Sequence, residues 1–156
     1  VVKQRPRSRY KHIVAGTDFS EGSAHAIVKA AEMFPDAQIH IVHAWHVPFE
    51  GFQRDGHVAG QVEEDEQRVF GKFMELLVKD APHLANATTA MVRGGTHAAL
   101  AAEFDKHCEI ASEGLVVLGS HGASGFKQAT IGSVTSDLLR FLKPDVLVVN
   151  TSGAAN

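Results

Sequence analysis

Short β-rich runs alternate with helical patterns along this chain, and that alternation narrows the choice of fold more than any other feature. Apolar and β-branched residues gather at residues 12–17, 38–45, 87–93, 115–118 and 146–150. Between them, apolar residues recur at helical spacing over residues 20–34, 61–79, 96–107 and 133–142. Strands that alternate with helices in this way form right-handed βαβ crossovers, which need a parallel sheet covered on both faces. The expected fold is therefore α/β: one open, five-stranded parallel sheet with helices on both sides, of the Rossmann-like kind. At 156 residues the chain fits one domain with a real core.

The helices carry their own boundary signals. Ser20 is a plausible N-cap for the first, with Ala24, Ile27, Val28, Ala31 and Phe34 along one face and Pro35-Asp36 ending it. Residues 46–60, rich in glycine and aromatics, read as a long loop. The second helix should turn Val62, Val69, Phe70, Phe73, Leu76 and Leu77 inward. Glu63, Glu64, Asp65 and Glu66 would then crowd its first turns and complement the helix dipole. Gly94-Gly95 closes the third strand, and Thr96 can cap the third helix. Residues 1–9, with Lys3, Arg5, Arg7 and Arg9, read as a basic tail, and residues 151–156 as a loose one. The domain proper spans residues 10–150.

In open parallel sheets, ligands bind beyond the carboxyl ends of the strands, where the strand order reverses. The fourth strand leads into Gly119-Ser120-His121-Gly122, then nine residues, then Gly132-Ser133 at the start of the last helix. A glycine-rich loop between a buried strand and a helix N-terminus suits phosphate binding, because glycines let the backbone approach an anion and the helix start offers free N–H groups. Gly119 ends the strand where a side chain could block a base or ribose. Gly122 would let the loop bend over phosphates, Gly132 would allow close approach, and Ser133 would cap the helix. His121 and Lys127, in the same loop, either offset phosphate charge or are simply exposed. Asp18, in Gly16-Thr17-Asp18-Phe19-Ser20 after the first strand, either serves ribose hydroxyls or a hydrated Mg²⁺, or is an aspartate at a helix start. If the first and fourth strands are neighbours, Asp18 and the glycine loop share one crevice.

Other chemistries lack their signatures. No Walker A loop, Gly-x-Gly-x-x-Gly or Gly-x-Ser-x-Gly occurs. His40, His43 and His46 lie three apart, but strand alternation puts His43 on the face opposite His40, so they do not converge on a metal. Net charge is −3, which gives no field for nucleic acid. No apolar run approaches the roughly 18 residues of a membrane span, and no signal-peptide pattern opens the chain, so a cytoplasmic location is expected. Cys108 is the single cysteine, at helical spacing from Leu100, Ala101 and Phe104, and reads as a small buried hydrophobe.

These residues resemble the universal stress protein family. Its nucleotide motif, Gly-x2-Gly-x9-Gly-Ser/Thr, fits Gly119, Gly122, Gly132 and Ser133 without a gap. Thr17-Asp18-Phe19-Ser20, a histidine-bearing second strand and a closing strand after Lys143-Pro144 are similar too. The resemblance covers about residues 10–150. It implies strand order 3-2-1-4-5 and a bound adenine nucleotide, ATP with Mg²⁺ being the form expected. It implies that Gly16, Thr17 and Asp18 line the ribose side, that Ala44 meets adenine through its backbone, and that Leu118, Gly119, Ser120, His121 and Gly122, with Gly132, Ser133 and Val134, hold ribose and phosphates. It also implies a homodimer through the last strand, residues 146–150. Three places depart from the family pattern: Gly114 where many relatives have Asp, Ser136 where some ATP-binding relatives have a carboxylate, and Thr96-His97 where Pro often follows the glycine.

The expected role is a nucleotide-dependent regulatory protein of stress responses. The motif holds no arginine finger or water-activating base, so hydrolysis should be slow at most. Alternatives are an enzyme cleaving ATP between the α and β phosphates, a dimeric interaction module that needs no nucleotide, and autophosphorylation on Ser120, Ser124 or Ser133.

Overall fold

A computed structural model describes residues 1–2, 9–46, 57–120 and 133–150, with the side chains of residues 57, 58, 133 and 134 left aside. Five strands form one sheet: β1 (His12–Gly16), β2 (Gln38–Trp45), β3 (Thr88–Arg93), β4 (Gly114–Gly119) and β5 (Asp145–Val149). Their order is β3-β2-β1-β4-β5 and all four pairings are parallel. The helices are α1 (Glu21–Met33), α2 (His57–Asp80), α3 (Thr96–His107) and α4 (Ser133–Phe141). Short 3₁₀ turns at Pro82–Asn86 and Ala111–Glu113 lead into β3 and β4. The order reverses between β1 and β4, so the sheet's switch point lies at its centre.

β1 and β4 are buried on both faces, as central parallel strands should be. Alternate residues feed two cores. On one face, Ile13, Ala15, Leu115 and Val117 pack under α1 and α2, with Phe70, Phe73 and Leu77. On the other, Val14, Val116 and Leu118 meet Leu100, Phe104 and Leu138 of α3 and α4.

The strand and helix expectations hold to within a residue or two, except for α2. It starts at His57, four residues before the expected position, so Gly60 lies within it. A glycine in an exposed helical position costs only about 1 kcal/mol, which the longer helix outweighs. Glu63 to Glu66 therefore sit beyond the first turn, which holds no acidic residue, and the dipole reading fails. Val69 and Leu76 are exposed at 43% and 64%, not inward. The buried stripe is Phe70, Phe73 and Leu77, and Val62 is half-buried. On α1 the buried stripe is Ser23, Ala26, Ile27, Ala30 and Ala31, while Ala24, Val28 and Phe34 flank it. Small residues there let the helix lie close to the sheet. Thr96 is the first helical residue of α3 and caps nothing; Gly95 takes the cap position without a side-chain bond. Ser20 does cap α1, accepting from the Ser23 N–H at 3.2 Å.

Packing explains one departure from the family pattern. A Cβ on Gly114 would lie 2.5 Å from the Phe104 ring and 2.6 Å from Cys108 Sγ, so no larger residue fits there. Cys108 itself is buried, and burial pushes its thiol up to about 11, as an inert core sulfhydryl requires. At the outer edge of the sheet, the Val1 nitrogen donates to the Val146 carbonyl, and the Val1 carbonyl accepts from the Val146 N–H at 3.0 Å.

Candidate functional site

β1 and β4 run side by side, pairing Ala15 with Val117. The ends of the two strands therefore arrive at one place: Gly16, Thr17 and Asp18 beside Leu118, Gly119 and Ser120. Ala44, near the carboxyl end of β2, pairs with Val92 on its other side and stands on the same rim. The crevice expected from fold type thus has its described walls together. His121, Gly122, Lys127, Gly132 and Ser124 lie outside the described residues. Ser133 and Val134 open α4.

The β1–α1 loop is tightly held. The Thr17 N–H donates to the Val42 carbonyl at 2.9 Å, and Thr17 Oγ1 accepts from the Phe19 N–H at 2.9 Å. The same hydroxyl meets Ser23 Oγ at 2.9 Å. Asp18 is exposed, and its Oδ1 accepts from the Ser20 N–H at 3.1 Å and from the Ser20 hydroxyl at 2.5 Å. This carboxylate braces the start of α1 and still faces solvent, so it can do both jobs that the sequence left open for it. Phe19 has φ +63°, the single positive value among described non-glycine residues. A bulky residue in the left-handed region is strained and must be held there by its surroundings.

Gly119 has a steric reason of its own. A Cβ there would come within 3.0 Å of the Gly22 carbonyl and 3.2 Å of the Ser23 nitrogen, both backbone. The missing side chain lets the first turn of α1 touch the end of β4, which brings a helix N-terminus to the crevice. Ser120 is buried; its N–H donates to the Val149 carbonyl at 2.9 Å, and its hydroxyl lies 3.4 Å from Asn150 Oδ1. From α4, the Thr135 hydroxyl donates to the Gly119 carbonyl at 3.1 Å. Residues 119 and 135, which bracket the glycine loop, are thereby tied together.

Sequence reasoning missed the deepest contact. His43 is buried, with Nδ1 2.8 Å from the Thr17 carbonyl oxygen, and its ring stacks on Phe19 at 4.0 Å between centroids. Its Nε2 lies 3.2 Å from Glu66 Oε2 of α2, outside hydrogen-bonding geometry. His40 faces the other way, as alternation requires. It stacks on His107 at 3.6 Å, meets Thr88 Oγ1 at 2.6 Å and His12 Nδ1 at 3.3 Å, far from the crevice. Among the described residues no group of three His, Cys, Asp or Glu side chains has metal-binding geometry.

Residues 9–150, nearly the whole chain, match the Usp profile, described as the universal stress protein family. The chain belongs to the universal stress protein family. Solved universal stress proteins share its fold. One, in complex with cAMP, is 25% identical, with 93% of this chain and 100% of that one covered at a TM-score of 0.65. UspA from Lactobacillus plantarum is 18% identical over 92% and 99% of the two chains, with a TM-score of 0.65. The protein MJ0577 superposes at a TM-score of 0.72 with 22% identity, covering 92% and 97%. At these lower identities the likeness is one of fold. No curated protein sequence matches the chain significantly.

Proposed function

We propose that this universal stress protein binds an adenine nucleotide in the crevice between β1 and β4, and that occupancy regulates what the protein does in a stress response. The observation that carries the reading is the adjacency of residues 16–18 and 118–120 at the point where the strand order reverses. Gly16, Thr17 and Asp18 take the ribose side. The Ala44 backbone meets the base. Leu118, Gly119, Ser120, His121 and Gly122, with Gly132, Ser133 and Val134, hold ribose and phosphates. The helix start that Gly119 admits beside the crevice supports an anionic ligand. The family relative solved with cAMP supports an adenine ligand.

ATP is the form we propose. With one exposed carboxylate, Asp18, at the described part of the site, Mg²⁺ would be held chiefly by the phosphates and water. The protein's own part is to bind and orient; any hydrolysis is slow. A homodimer through the outer edge of β5 is the assembly proposed with it, and a cytoplasmic location the setting. No helix among the described residues is long and apolar enough to cross a membrane.

Isothermal titration with ATP and Mg²⁺, and separately with cAMP, tests the reading, with Gly132→Val as control. Micromolar binding lost in the variant is the expected result. A folded wild-type protein that binds neither nucleotide would overturn it and leave a nucleotide-independent module.

A further inference from the structure

Asp18 stands between two residues that one side chain holds. His43 reaches across from β2 and contacts the residue before Asp18 and the residue after it. Its Nδ1 lies 2.8 Å from the Thr17 carbonyl oxygen. A carbonyl can only accept, so Nδ1 carries the ring proton in this bond. The ring face lies 4.0 Å from the Phe19 ring, with 30° between their planes. Phe70 and Phe73 close on Phe19 at 5.4 and 5.5 Å.

These contacts explain the strain at Phe19. Left to itself, a phenylalanine with φ +63° would relax towards negative φ and carry Asp18 with it. Stacked between His43 and the two phenylalanines of α2, it cannot turn without opening the core. The carbonyl one residue before Asp18 is fixed as well. The element packed on the far side of the ring is α2, which brings Glu66 to within 3.2 Å of Nε2.

We propose that His43 is the positioning residue of the nucleotide site: by holding Thr17 and Phe19 it fixes the backbone of the β1–α1 loop so that the Asp18 carboxylate meets the ribose hydroxyls. His43 does not touch the ligand. It keeps the loop in the binding-competent arrangement before the ligand arrives, which spares the affinity that would otherwise be lost to ordering. This rests on the nucleotide reading of the crevice.

Two substitutions separate the bond from bulk packing. In His43→Asn the side-chain amide stands near the place of Nδ1 and can still donate to the Thr17 carbonyl. In His43→Gln, one methylene longer, the amide stands near Nε2 and that carbonyl loses its donor. Both lose the aromatic ring, so the loss of stacking is common to the pair. Two measurements are made on each: the backbone amide signals of Asp18, Phe19 and Ser20 without ligand, and the dissociation constant for ATP with Mg²⁺. The expected result is that His43→Gln shifts and broadens those amide signals and binds ATP about tenfold more weakly than His43→Asn, as if the competent loop were populated a tenth of the time. His43→Asn should itself fall between wild type and His43→Gln. Equal affinities and equal loop signals in the two variants, even with lowered melting temperatures in both, would overturn the inference and leave His43 a core side chain. Loop signals that differ as expected in a wild-type background that binds no nucleotide would overturn instead the nucleotide reading, and with it the ribose part of the inference.

Discussion

At the amino end of the sheet, His40 of β2 has both ring nitrogens met and stacks against His107, with His12 alongside. At the carboxyl end, three residues along the same strand, His43 has one nitrogen bound and the other turned to a carboxylate it does not bond. The amino end is also where Lys11 pairs with Glu113, where Tyr10 donates to the buried Asp145, and where Gly114 is shut in by Phe104 and Cys108. Side chains of the same chain close these places. The carboxyl end keeps an exposed carboxylate, a strained aromatic and the start of α1 beside Gly119. Two histidines of identical chemistry are thus given opposite tasks by strand parity and by which end of the sheet each meets. Where polar atoms are answered from within, the end serves stability. Where a carboxylate still faces solvent and a ring nitrogen lacks a hydrogen bond, the end suits the ligand proposed for it.

Changing pH should strain the amino end hardest. Burial, with His107 and His12 alongside, lowers His40 from 6.5 to about 4. The folded protein therefore excludes a proton that the unfolded chain takes up below about pH 6.5. Stability from this source is whole above that pH, falls as pH drops from 6.5 towards 4, and is lower by about 3 kcal/mol once below both values. Urea midpoints at about pH 7 and about pH 4.5 should drop sharply in wild type and less in His40→Gln. Equal slopes would remove His40 from the account.

Next in size are the two glycines of β4. Gly114→Ala should cost about 1–3 kcal/mol by overpacking the amino end, read from thermal melts, with ATP affinity untouched. Gly119→Ala should cost a similar amount, and it should also weaken ATP binding, because it pushes the first turn of α1 away from the crevice. If both variants lost only stability, the contrast between the ends would fail at this strand. Ser20→Ala should remove about 1 kcal/mol by uncapping α1. The smallest effect is expected at Lys11→Ala, where an ion pair of 2.9 Å with a well-exposed lysine contributes at most about 0.5 kcal/mol, and less in added salt.

The fold was legible because it depends on local periodicity. Strands read as short β-rich runs, helices as 3.6-residue patterns, and a parallel sheet results from their alternation. Part of the candidate site was legible for the same reason: Asp18 and Gly119 lie at or just past strand ends, where such sheets bind, whereas Thr17 and Ser120 entered only through the family resemblance. His43 was legible only as a face assignment. Alternation separated it from His40, but nothing local says that its ring reaches Thr17 and Phe19, since those contacts span 24 to 26 residues and depend on the register between β1 and β2. Glu66 was hidden by the misplaced start of α2, which grouped it with three neighbours as a dipole cluster. Val69 and Leu76 show the limit of periodicity itself: a helix with apolar residues on more than one stripe does not say which stripe meets the sheet.

The outer rim of the sheet bears on how copies of this chain can meet. Val146 gives its outward N–H and carbonyl to Val1, so the first rung of the β5 edge is already taken by the chain itself. A strand arriving from another molecule must either displace Val1 or begin one rung further along. The contact covers part of that edge against strand addition.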